Sequence, residues 1–209
     1  MKAMRNNKGF TLIELAIVLV IIGIIVGAVL KGQDLIQNAR AKKFITDAGK
    51  VWETAAWAYF DRMGRFPGDK KKDGIIGNNT NDSDPKADLT SANFINPPTS
   101  PVSLGSYNFY VFLGNDNGTP KRNVLVICNA GDCGNTFTDD ELDYIRAFDT
   151  AIDGYADAGA GQVRAATQVN GVDSGKWLVT GATVVSGSDT DWNSTSHRAL
   201  VYFFDRRKD

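Results

Sequence analysis

The chain has 209 residues, is 43% apolar and carries a formal net charge of -1. That suits one globular core of modest size and shows no global basic excess of the kind nucleic acid attracts. A single histidine, His197, and two cysteines, Cys128 and Cys133, exclude a multi-histidine catalytic or metal cluster within one chain.

The first element is the apolar run Phe10–Leu30, 21 residues with Glu14 as the only charge. As a helix it would extend roughly 31 Å, close to the thickness of a bilayer core. Lys2, Arg5 and Lys8 precede it, with no acid among the first nine residues, and Lys31 follows it. This asymmetry places the N-terminal side in the cytoplasm and exports the rest. A secretory signal peptide, a plain signal anchor and an anchor cut before its apolar run all share that pattern. The run is long for a signal peptide, and no A-x-A cleavage site follows it. Neither a signal peptide nor a plain anchor has a use for Glu14. An ionisable side chain inside a membrane span is a functional candidate. Thr11 and Glu14 also have capping-box spacing, which gives Glu14 a local role at a helix start.

Lys8-Gly9-Phe10-Thr11-Leu12-Ile13-Glu14-Leu15, behind a short basic leader, resembles the processing motif of type IV pilins and type II secretion pseudopilins. The resemblance implies cleavage between Gly9 and Phe10 by a prepilin peptidase, N-methylation of Phe10, and pairing of Glu14 with the N-terminal amine of a neighbouring subunit. It also implies a pilin-like α+β fold, with a long N-terminal helix packed on an antiparallel β-sheet. The expected partners are pilin-like subunits in a homo- or hetero-polymer, the peptidase, and the inner membrane before assembly. The expected location is the bacterial inner membrane, then an extracellular pilus or periplasmic pseudopilus. The alternative is a minor or tip subunit that binds DNA or a surface ligand. Cleavage would remove Lys2, Arg5 and Lys8 and create an ammonium beside the apolar layer, with Glu14 as the nearest carboxylate. A buried pair of this kind adds little net stability but is costly to break, so it selects a register.

The helix is predicted to continue to about Arg62. Residues 1–9 read as leader, 10–31 as the membrane and assembly half, and 32–63 as the amphipathic half. Ile45, Ala48, Trp52, Ala55, Tyr59 and Met63 recur at three- and four-residue spacing and are expected to face a sheet. Gly23 and Gly27 have the spacing that lets membrane helices approach closely, which incidental glycines also show. Gly64 and Pro67 end the helix. Lys31 stands where many type IV pilins carry a proline.

Residues 64–209 form the predicted head. Residues 64–105 read as a long, largely irregular connection. Strands are expected at Ser106–Leu113 and Arg122–Cys128, joined as a hairpin around Asn117-Gly118. Thr138 and Glu141 frame a capping box ahead of a short helix with Leu142, Ile145, Phe148 and Ile152 on one face. Further strands are expected at Lys176–Thr180 and Ala199–Phe204, the last apolar on both faces. Phe66-Pro67-Gly68-Asp69, Ala151–Gly154 and Gly161–Ala165 resemble recurring segments of a pilin-like subgroup with a PGD motif after the long helix.

In an exported chain Cys128 and Cys133 are expected to form a structural disulfide. Asp73, Asp82 and Asp84 lie on an oxygen-rich loop of the kind calcium favours, and some pseudopilins hold calcium in a loop. The spacing is not that of an EF-hand, and solvated turns use the same residues. No other cofactor is expected. Asp189 and Asp191 form a weaker acidic pair. Lys70, Lys71 and Lys72 read as a solvated turn or a phosphate contact. His197, next to Ser196, reads as a surface-loop residue, because nothing around it supplies an oxyanion hole. No enzymatic activity is expected.

Overall fold

The computed structural model describes residues 10–78, 83–187 and 191–205, in two units, 10–40 and 41–205. In the first unit α1 (Leu12–Phe44) opens on a capped turn and stays helical throughout. Up to Arg40 its apolar side chains are exposed all round; Leu12 is 88% exposed and Ile24 67%. Such a surface is stable only against lipid or other apolar helices.

The second unit begins with the end of α1 and a π-helical turn, Ile45–Lys50, before α2 (Val51–Met63). The Val51 N–H reaches back to the Thr46 carbonyl, a wide turn that takes in one extra residue. Phe148 presses on Gly49, where an added Cβ would lie 2.5 Å from the ring edge. The buried face is Phe44, Ala48, Trp52, Ala55, Ala56 and Tyr59. The expected stripe therefore starts one residue early, at Phe44, with Ile45 partly buried against the same core, and ends before Met63, which is exposed. Gly64 ends α2 in the left-handed conformation (φ 67°), its N–H bonding the Phe60 carbonyl.

The connection at 64–105 is more structured than expected. It contains α3 (Pro85–Ser91) and β1 (Val102–Leu104). Asp84 caps α3 by accepting from the Ala87 N–H. Arg65 makes two bonds to the Asp88 carboxylate, at 2.8 and 3.1 Å, and one to the Tyr59 hydroxyl. The Gly68 N–H donates to the same carboxylate. Asp69, the last residue of the PGD motif, accepts from the N–H groups of Asp73 and Gly74. The motif thus folds the chain back after the helix. Further on, buried Asn123 donates to the Gly74 carbonyl and accepts from the Ile76 N–H, while Asn115 donates to the Ile76 carbonyl.

The sheet comprises β1, β2 (Tyr107–Asp116), β3 (Asn123–Cys128), β4 (Val163–Asn170), β5 (Leu178–Val184) and β6 (Ala199–Tyr202). Their order is β1-β2-β3-β6-β4-β5. The expected hairpin is β2–β3, with Tyr110 opposite Cys128 and Asn115 opposite Asn123. Pairing is antiparallel except where β5 returns to β2 in parallel and closes the sheet on itself. Gly114 makes that contact possible, since a Cβ there would collide with the Val179 carbonyl. β4 was not anticipated, and β5 begins at Leu178 and runs to Val184.

Alternate residues divide between two cores. Leu125, Ile127, Leu200 and Tyr202 join the core that includes α2 and α4 (Asp139–Asp153). Val124, Val126, Ala199 and Val201 join a second core with Phe112 and Val179, containing no helix residue. Both faces of β6 are buried, as its apolar run suggested. Replacing Gly114 by Ala should open the β2–β5 contact and cost about 1–3 kcal/mol. Urea unfolding of the detergent-solubilised chain measures it, and wild-type stability would show that the closure does not depend on this glycine.

Candidate processing and assembly site

The N-terminal turn is built by Thr11 and Glu14. The Thr11 N–H and hydroxyl donate to Glu14 Oε2 at 2.7 and 2.8 Å, and the Glu14 N–H donates to Thr11 Oγ1 at 3.3 Å. This is a complete capping box. It bends the carboxylate back over the helix start, one residue from Phe10, whose side chain is 84% exposed. The capping role and a carboxylate held beside Phe10 therefore coexist in one geometry. Beyond it the helix is long and apolar enough to cross a membrane. Nothing approaches within 4 Å of where a Cβ would stand on Gly23, Gly27 or Gly32, so their small size serves no contact within the described chain.

Residues 4–30 match the family described as the prokaryotic N-terminal methylation motif. This is the prepilin signature of type IV pilins and type II secretion pseudopilins. It covers the N-terminal segment and leaves the head outside the match. No curated protein and no solved structure matches the chain. The prepilin signature is a structural-subunit motif and not an enzymatic one. With the apolar helix, it is consistent with membrane anchoring before assembly.

Gly9 lies outside the described residues, as do Lys2, Arg5, Lys8, Asp82 and Asp189. Asp73 is occupied locally, accepting from the Ile75 N–H and the Asn78 side chain. Asp84 caps α3. Among the described residues no group of three His, Cys, Asp or Glu side chains is arranged to hold a metal ion. Lys70, Lys71 and Lys72 are exposed.

His197 is not a surface residue. It is fully buried and packs edge-on against Trp192, with ring centroids 5.7 Å apart. The Asn193 N–H donates to its Nδ1, and the neighbouring Ser196 hydroxyl bonds Asn193. The Ser–His juxtaposition is therefore a folded loop and not a nucleophile–base pair. A polar residue in a serine-rich stretch gave no periodic signal of its burial.

Cys128 and Cys133 are joined in a disulfide. It links the end of β3 to a turn in which the Cys133 N–H bonds the Ala130 carbonyl. Two features had no signal in the sequence. One is the Arg65–Asp88 pair, 23 residues apart, which is mostly buried. Burial opposes the Asp88 charge, but the bonds from Arg65 and Gly68 and the guanidinium's charge outweigh it and hold the carboxyl below its ordinary value. The other is an apolar groove of about 390 Å³ between Val51–Ala58 of α2 and Phe94–Asn96.

Replacing both cysteines by Ser should lower unfolding free energy by about 2 kcal/mol, the chain-entropy value for so short a loop. Equal stability in urea titrations would assign the bridge no stabilising role. Asp88 is a depressed carboxyl, so its contribution is present above the ordinary carboxylate range and lost as pH falls through its lowered value. Asp88→Asn should cost roughly 2–3 kcal/mol at pH 7 and flatten the acid limb of the stability profile. A variant with an unchanged acid limb would refute that assignment.

Proposed function

We propose that this chain is a structural subunit, processed by a prepilin peptidase and polymerised through its N-terminal helix into a type IV pilus or a type II secretion pseudopilus. The observation that carries this reading is the methylation motif at residues 4–30 leading directly into a helix with apolar side chains exposed on every side. In this reading the peptidase cuts between Gly9 and Phe10, and the new Phe10 amine is methylated. The chain is held in the bacterial inner membrane by α1, with the head exported, until it enters the polymer.

Glu14 has two assignments in that sequence of events. Before cleavage its carboxylate caps the first turn through Thr11. After cleavage an ammonium replaces the Phe10 amide. A single-chain pair would satisfy it locally. A pair with the next subunit would fix axial stagger, since an unpaired charge in an apolar bundle is costly. The exposed apolar surface of α1 supplies the attraction between subunits, and the ion pair supplies the register. The disulfide-closed head fits an oxidising destination outside the cytoplasm.

Two measurements test this. Mass spectrometry of purified surface fibres should find the chain starting at N-methylated Phe10; an assembled chain starting at Met1 would refute the processing step. In a strain producing only Glu14→Ala, the subunit should be cleaved normally but fall at least about tenfold in fibres, the loss expected from breaking an apolar-layer ion pair. Normal incorporation would remove the register role while leaving processing intact.

A further inference from the structure

Asp149 lies on α4 and is fully buried. Its Oδ2 accepts from Trp192 Nε1 at 2.7 Å and from the Asp157 N–H at 2.8 Å. Its Oδ1 is buried without a hydrogen-bond partner. Among the described residues no Lys, Arg or His nitrogen forms an ion pair with it. Asp153, a turn further along α4, and Asp157, on the following loop, add like charge. Arg146, on the preceding turn, directs its guanidinium to Asp143 and to the Trp192 carbonyl. From the other side, His197 packs on Trp192 and accepts from Asn193, and Asp191 is exposed at the start of that segment. One carboxyl thus joins three parts of the head: α4, the loop at 154–162 and the segment at 191–198.

We propose that Asp149 is an acid-closed clasp: uncharged, it pins Trp192 and the Asp157 turn to α4, and its ionisation loosens the 191–198 segment from the head. A buried carboxylate without a cation is costly, and two donors offset only part of that cost. Burial is the main cause that raises this carboxyl from 3.8 to about 6; the Trp192 and Asp157 bonds act against it, and the charges of Asp153 and Asp157 act with it. The sign follows. The released carboxyl regains its ordinary value, so the closed form binds the proton more tightly. Closure is strongest in acid and weakens as pH rises through about 6. Opening would bring Trp192, now 3% exposed, to the surface. The clasp does not depend on polymerisation.

Hydrogen exchange of the full chain in detergent micelles, corrected for intrinsic rates, tests it. Between pH 5 and pH 8 a peptide covering 191–198 should lose protection about tenfold, while β3 stays protected. Asp149→Asn keeps an acceptor for Trp192 and cannot ionise, so it should abolish the pH step. Trp192→Phe keeps the ring but removes the donor, and should lower protection at both pH values. A pH-independent wild type, a pH step that persists in Asp149→Asn, or wild-type protection in Trp192→Phe would each overturn the clasp.

Discussion

β3 and β6 are apolar on both sides, and the head exists only if both sides are covered. One side is met by α2 and α4, through Leu125, Ile127, Leu200 and Tyr202. Among the described residues, no helix contributes to the core on the other side. The sheet covers that side itself, by bringing β5 back to β2. Gly114 provides the room for the two backbones to approach, and Phe112, Val124 and Val179 fill the interior. Helix packing and sheet closure are two answers to the same demand, that alternating side chains leave water on both faces.

The chain places carboxylates in three environments, each with its own solution. Glu14, at the head of an apolar helix, is held by two donors from Thr11. Asp88 is mostly buried but meets a guanidinium in two bonds, so its charge is favoured. Asp149 is fully buried with two neutral donors and, among the described residues, no cation, so its charge is disfavoured. The three differ in what surrounds them, which decides whether the charged form is favoured or opposed.

Much of the helix grammar was legible in the residues. The capping boxes at Thr11–Glu14 and Thr138–Glu141 both form, and Gly64 ends α2 as expected. These devices act over three or four residues, so local chemistry is enough to specify them. The hairpin β2–β3 and the Cys128–Cys133 bridge were legible for the same reason. β4 escaped because Val163–Asn170 alternates poorly, with polar residues on a strand that is half exposed. The loop at 64–105 looked irregular because its order comes from Asp88, Asn115 and Asn123, whose partners lie 20 to 49 residues away in sequence.

The sequence by itself determined the N-terminal signature, the apolar helix behind it and the placement of Glu14 within that helix. Each depends on residue order within about thirty positions, and no distant contact is needed to create it. Only the tertiary structure decided the parallel return of β5 to β2, the burial of His197 and the raised proton affinity of Asp149. Burial and charge environment arise from what the rest of the chain places nearby, and that is settled by packing and not by neighbours in sequence.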